Sequence, residues 1–301
     1  MYEQIAANKR RSVLLVAGFV ALVMLVGFIV GRLIGYGAIG VGAALVISAA
    51  MAFGSYWWSD KVALAVSRAQ PADPTQYQRL YNLVEGLCIA GGLPAPKIYI
   101  VEDPAPNAFA TGRDPKHASV AVTTGLLTMM NRVELEGVLA HELSHIRNYD
   151  VLVSTLAVTL LGTVAIVSDV VLRMMWWNGG RTRRDGDHKD GNNPLGYLGL
   201  VMLMVAPLIG KVFQLALSRR RETLADVSAV QMTRYPPGLI SALEKLQADC
   251  TVTHSASRAT AHLWIENPVA RQPDEGRLSR LNRLFDTHPP LEERIALLQE
   301  L

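Results

Sequence analysis

The chain has 301 residues and a formal net charge of +3, with 50% hydrophobic residues, 18% charged residues and a mean hydropathy of +0.22. A soluble domain carries about 25% charged residues, so part of this chain has a solvent other than water. The small net charge argues against a nucleic-acid footprint, and two distant cysteines, Cys88 and Cys250, argue against a disulfide framework and a thiolate metal site.

Val13–Gly31 (VLLVAGFVALVMLVGFIVG) holds no charge, and after Arg32 the run Leu33–Trp58 is again charge-free. A helix needs about 20 apolar residues to cross a bilayer, so both are predicted spans. Trp57 and Trp58 stand where interfacial aromatics are expected, and Lys9, Arg10 and Arg11 precede the first run. The positive-inside rule then puts the N-terminus in the cytoplasm and returns the hairpin there. A cleaved signal peptide would have a shorter apolar region, about 7–15 residues, so an uncleaved anchor is expected. Gly27, Gly31 and Gly35 recur every fourth residue, a spacing suited to helix packing within the chain.

From Ser59 the composition turns soluble. Pro71–Pro74 reads as a turn-rich linker. Leu80, Leu83, Val84 and Leu87 recur at helical spacing until Gly91-Gly92-Leu93-Pro94 stops them. Lys97–Val101 reads as a strand, Asn107–Gly112 as a short turn-bounded segment, and Ala118–Thr124 as a second strand pairing with its neighbours. Gly125–Asn148 is predicted helical. Two shorter apolar runs follow, Val151–Ser168 and Gly191–Gly210, around the polar stretch Arg181–Asn193. They predict a second hydrophobic hairpin. Soluble character returns at Ser218, with a helix over Arg219–Thr233, a break at Pro236-Pro237-Gly238, a helix resuming at Leu239, little periodicity over Thr251–Asn267, and a closing amphipathic helix in Pro289–Leu301. The expected division is residues 1–58, 59–150, 151–217 and 218–301: hairpin, half-domain, hairpin, half-domain.

His141-Glu142-Leu143-Ser144-His145 fits H-E-x-x-H in the predicted helix. Residues four apart share a helix face, so His141 and His145 can hold one metal ion through neutral imidazoles. Glu142 lies beside that face, placed to take a proton from water as general base. Catalytic zinc needs a third protein ligand and an open position. A third histidine in H-x-x-G-x-x-H spacing is excluded, because Ile146-Arg147-Asn148-Tyr149 follows His145. A glutamate on another helix is the other source. Glu222 is the candidate, with Asp226 one turn on and able to accept from a ligand imidazole. By spacing alone, Glu222 and Asp226 are equally well a solvated helix face. His117, His188, His254 and His262 have no motif around them. His288 precedes Pro289-Pro290, so its ring is held rigidly, for capping or for catalysis.

Taken together, the N-terminal hairpin, Asn107-Ala108-Phe109-Ala110-Thr111-Gly112, the H-E-x-x-H motif, the second hairpin, Ser218-Arg219-Arg220-Arg221-Glu222 with Ala225-Asp226, and His288-Pro289-Pro290 with Arg294 resemble the HtpX-type integral-membrane zinc metalloproteases, relatives of the type I CAAX prenyl proteases. The resemblance covers nearly the whole chain. It implies an α+β membrane protein: a mainly helical, zincin-like (gluzincin) catalytic domain with a small β-sheet, and about four transmembrane helices in two hairpins. It implies one zinc ion on His141, His145 and Glu222, Glu142 as general base, and Asp226 behind the ligands. His288 and Arg294 are implied to stabilise the oxyanion or orient the scissile carbonyl. Asn107, Ala108, Phe109 and Ala110 are implied to form an edge strand to which substrate peptide adds. The implied function is cleavage of misfolded or damaged membrane proteins on the cytoplasmic side of the cell (inner) membrane, with peptide or membrane-protein substrates and the bilayer as partners. No nucleotide is expected, since the chain has no G-x-x-x-x-G-K-[ST] loop, and no nucleic acid.

Three rivals share some of these features. An intramembrane site-2-type protease conflicts with Arg132, Glu134 and Glu136 just before the motif, charges that are costly in hydrocarbon. A prenyl-protein endopeptidase would use the same chemistry on another substrate, though those relatives are usually longer. A non-catalytic membrane scaffold conflicts with the complete set of ligand and base residues.

Overall fold

The computed structural model describes residues 2–34, 37–156, 219–249, 251, 253, 263–265 and 289–301. The two N-terminal apolar runs lie in long helices, α1 (Tyr2–Ile34) and α2 (Gly37–Val66), packed along each other. Among the described residues, no helix is long and apolar enough to cross a membrane. The helices outrun the apolar sequence at both ends. α1 begins well before Val13, and α2 continues past Trp58 to Val66, so the expected boundary at residue 58 falls inside a helix. Those extensions reach the rest of the protein: Asn8 and Ser12 of α1 are buried, as are Ala63 and Leu64 of α2.

A mixed four-stranded sheet follows, in the order β1-β2-β4-β3, with β1 (Gln70–Pro71), β2 (Lys97–Val101), β3 (Ala108–Gly112) and β4 (Ala118–Thr123). β2 and β4 are parallel, while β1 and β3 pair antiparallel with their neighbours. The period-two alternation of a strand sorts side chains cleanly here. Ile98, Ile100, Ala108, Ala110, Val120 and Val122 join the main core, whereas Val101, Phe109 and Ala121 pack with Ala63, Leu64 and Trp264. Both faces of the sheet are thus covered, one of them by the end of α2, which explains why β4 is buried along its whole length.

A short 3-10 turn, Pro115–His117, precedes β4, and the further helices are α3 (Gln78–Gly91), α4 (Thr124–Met129), α5 (Arg132–Arg147), α6 (Arg219–Thr233), α7 (Pro236–Ala248) and α8 (Leu291–Gln299). α5 is the central one. It packs on α3, α6, α7 and β3, so nearly all its faces are buried and it lacks the apolar stripe of a surface helix. Its start is fixed by a capping box: Asn131 accepts from the Val133 and Glu134 amides, and the Glu134 carboxylate accepts from the Asn131 N–H at 2.8 Å. Glu134 also takes Lys245 Nζ and Ser241 Oγ, each at 2.7 Å, which ties α5 to α7. Gly137 lets the two backbones meet, since a Cβ there would lie 2.9 Å from Leu239 Cα and N. At its far end α5 stops at Arg147, Tyr149 takes a left-handed φ of 59°, and a new helical segment runs over 150–156. The rest of the second hairpin, the 181–193 stretch, Cys250 and His288 lie outside the described residues.

The strands expected at Lys97–Val101 and Ala118–Thr124 are present with small shifts, as are the helices around 80–91, 219–233, 239–248 and 291–299, and the turn-bounded segment Asn107–Gly112 contains the edge strand that the resemblance implies, β3. β1 was not expected. Its two residues lie in the proline-rich linker and pair only with the edge of β2, a position where proline's missing donor does little harm.

Two outcomes follow from this packing. Gly137→Ala should lower the thermal midpoint by several degrees, reflecting overpacking of about 1–3 kcal/mol, although the same change in a free helix stabilises. A raised midpoint would contradict the close approach of α5 and α7. Glu134 is held below the usual carboxylate range: burial alone would raise it, but Lys245, Ser241 and the Asn131 N–H outweigh that. Its contribution is therefore present at neutral pH and lost as pH falls through the ordinary glutamate range. The stability gap between the parent and Glu134→Gln, measured by denaturant unfolding, should shrink from pH 6 to pH 3.

Candidate metal centre

One turn of α5 places His141 and His145 on a common face, and that face meets the start of α6, where Glu222 stands. The two Nε2 atoms are 3.1 Å apart, His141 Nε2 lies 3.5 Å from Glu222 Oε2, and His145 Nε2 lies 3.7 Å from Glu222 Oε1. One ligand atom from each residue falls within 4.8 Å of the others. Metal–ligand bonds of about 2.0–2.2 Å in a tetrahedron separate ligand atoms by roughly 3.3–3.6 Å, so this donor set fits a single ion with a fourth position left over. The His141 side chain is fully buried, while those of His145 and Glu222 keep 15% and 11% of their exposure. The site therefore opens on the side of His145 and Glu222.

Each imidazole is held from behind by a carboxylate. His141 Nδ1 is 2.8 Å from Asp226 Oδ1, and His145 Nδ1 is 3.1 Å from Asp150 Oδ2. A proton on each Nδ1 donates to its carboxylate and leaves both Nε2 lone pairs directed at the common point, the arrangement metal-ligating histidines use. Asp226 is in turn gripped by Arg294, whose Nε donates to Oδ2 at 2.8 Å and Nη2 to Oδ1 at 2.6 Å. Burial would raise the Asp226 carboxyl, but the charges of Arg294 and His141 hold it down at about 2. Burial and Arg294 depress His141, yet Asp226 and Glu222 more than reverse this and push it up to about 9.

Glu142 lies on α5 beside His141 and is 1% exposed. Arg294 reaches the centre by a route the resemblance does not imply. Its donors face Asp226 and, from Nη1 at 3.4 Å, the Ile265 carbonyl, while Nη2 lies 3.3 Å from His141 Nδ1. It acts on the ligand shell from behind. Asn107 is buried, and its side-chain oxygen accepts from the Ala108 N–H. β3, which carries Ala108, Phe109 and Ala110, does lie at the sheet edge beside α5. Part of that edge is already taken: Ile265 N–H donates to the Ala108 carbonyl at 2.9 Å, and Phe109 bridges to Trp264 with ring centroids 4.6 Å apart.

Sequence reasoning missed Asp150 and Trp264. Asp150 falls at the end of the expected 59–150 half-domain, just before an apolar run, yet its position five residues after His145, with its carboxylate 2% exposed, is the signal that could have found it. Trp264 sits in a stretch without periodicity and offered none.

The fold and the site bring together H-E-x-x-H on one helix and a glutamate from a separate helix, a donor set that could hold a metal ion. The family model described as Peptidase family M48 matches residues 74–301, and the chain belongs to that family. It is 43% identical to a protease HtpX homolog of Thermoanaerobacter pseudethanolicus over 301 residues, 100% of this chain and 98% of that protein. A protease HtpX homolog of Streptococcus uberis is 40% identical over 304 residues, with 100% of both chains covered. In fold, the chain is similar to the crystal structure of S. mikatae Ste24p, at a TM-score of 0.51 and 16% identity, covering 99% of this chain and 67% of that one.

Arg294→Met should destabilise the metal-free protein by about 3–5 kcal/mol, because it strands a buried carboxylate. Adding Asp226→Asn should recover most of that loss in chemical unfolding. A single variant as stable as the parent would show that the pair is not closed in solution.

Proposed function

We propose that this chain is a membrane-anchored zinc endopeptidase that cuts misfolded or damaged membrane proteins on the cytoplasmic side of the cell membrane. The observation that carries the reading is the triangle of His141, His145 and Glu222, with both outer ring nitrogens held by buried carboxylates. Two imidazoles and a carboxylate with an open fourth position suit zinc. Membership of a peptidase family supplies the reaction class.

Support for the membrane comes from surface chemistry. On α1 and α2, Val13 and Leu14 are each 68% exposed, Val46 69% and Phe53 60%, an apolar surface of a kind that soluble monomers rarely leave to water. On the sequence, the charge-free runs Val13–Gly31 and Leu33–Trp58 are the proposed bilayer spans, and the apolar runs within 151–217 are the proposed second pair. The catalytic unit is then 59–150 with 218–301, carrying the end of α2 with it. Lys9, Arg10 and Arg11 at the start of α1 set the cytoplasmic orientation.

His141, His145 and Glu222 would hold a zinc ion, which when bound would supply Lewis-acid chemistry for peptide hydrolysis. Glu142, one residue from His141 on the same helix, takes a proton from the attacking water and returns it to the leaving amine nitrogen. Arg294 and Asp226 keep His141 in the tautomer that offers Nε2, and Asp150 does the same for His145. Substrate peptide binds along β3, over the part of the edge beyond the Ala108–Ile265 hydrogen bond or by replacing that bond. His288 remains a proposed oxyanion donor.

Glu142→Gln should keep its zinc and lose roughly 10²–10⁴-fold in cleavage of a misfolded membrane protein in detergent. Cleavage at the parental rate would overturn the mechanism. Cleavage by the parent of a prenylated peptide alone would replace the substrate assignment.

A further inference from the structure

The first turns of α1 lie against the metal centre. Asn8 is 3% exposed, and its Nδ2 donates both to the Asn148 carbonyl at 2.8 Å and to Asp150 Oδ1 at 2.7 Å. Asp150 uses its other oxygen, Oδ2, for His145 Nδ1. An amide nitrogen has two hydrogens, and here each has its own acceptor, so the Asn8 rotamer is fully determined. The Asn8 carbonyl in turn accepts from Ser12 Oγ at 3.0 Å, and Lys9 lies over the Tyr149 ring at 4.5 Å. The left-handed turn at Tyr149 is thereby clamped from both sides by consecutive residues of α1.

Asp150 needs such help. Its carboxylate is 2% exposed at the start of a helix, and a buried charge is expensive without donors. Besides Asn8 and His145, Asp150 faces the charge of Arg221 of α6, and Arg221 is itself opposed by Arg11 of α1. Asn8 is the donor that reaches the oxygen His145 does not use, so it fixes the rotation of the carboxylate and, through it, the His145 ring.

We propose that Asn8 is a positioning residue of the metal centre, so that the N-terminal helix completes the site as well as anchoring it. The inference rests on reading His141, His145 and Glu222 as zinc ligands. A chain without the first turns of α1 would keep every ligand and lose the orientation of one of them.

The test uses the full chain in detergent and zinc alone as probe, with affinity measured by competition against a chromogenic chelator. Asn8→Leu has similar size and no donor, and Asn8→Asp keeps the shape but sets two carboxylates together. Each should weaken zinc binding by about tenfold or more, the lower end for groups behind a ligand. Two controls on the same helix separate positioning from general loosening. Ser12→Ala does not touch Asp150, and Leu15→Ala removes a buried apolar side chain. Both should leave zinc affinity within twofold of the parent, even where Leu15→Ala lowers the thermal midpoint. Parental affinity in both Asn8 variants would overturn the proposal alone, as would an equal loss in Leu15→Ala. A parent chain that binds no zinc would overturn the reading of the site and this inference with it.

Discussion

Asp226 accepts two hydrogen bonds from Arg294 and still holds His141 by its outer nitrogen. That buried carboxylate joins three helices distant in sequence: α5 through His141, α6 through Asp226 and α8 through Arg294. A charge so deep is tolerated only when its partners are all in place. Its geometry is therefore available only to the assembled fold, and the ligand triangle forms with it. The same arrangement recurs at lower intensity on the other histidine, where Asp150 is held by Asn8.

The site is consequently spread along nearly the whole chain. α1 supplies Asn8 behind His145, α5 the two imidazoles and Glu142, α6 the carboxylates of Glu222 and Asp226, and α8 the arginine. The 76 residues between His145 and Glu222 include the second apolar pair of runs. On the proposed reading, metal affinity would report on whether residues 59–150, residues 218–301 and the N-terminal helix have come together correctly. The proposed bilayer anchoring places the open side of the site, that of His145 and Glu222, in a chain whose neighbouring segments are apolar.

Much of this was legible in the sequence because the signals were local. H-E-x-x-H is a helix-face pattern, and the strands around residues 97–123 announce themselves by β-branched alternation and turn residues. Glu222 and Asp226 were ambiguous by spacing, since a charged helix face looks the same whether it meets water or an imidazole. Only the packing of α6 on α5 separates these cases. Arg294 was expected at the site but facing the substrate, and its bidentate grip on Asp226 could not be read from Pro289-Pro290-Leu291-Glu292-Glu293-Arg294. Asn8 and Asp150 were invisible for a further reason. They pair across 142 residues, and each stood beside a stronger local feature, a basic cluster and an apolar run. The pairing of Trp264 with β3 depends on a segment whose composition has no period to detect.

The central claim is the identity of the three ligands. Zinc K-edge X-ray absorption on the full chain, loaded with one equivalent of zinc in detergent, tests it most directly. A four-coordinate ion with two imidazole nitrogens and two oxygen donors at about 2.0–2.2 Å is expected, with loss of one oxygen contribution or of the metal itself in Glu222→Ala. A sulfur ligand, a third imidazole, or an unchanged spectrum at full occupancy in Glu222→Ala would contradict it.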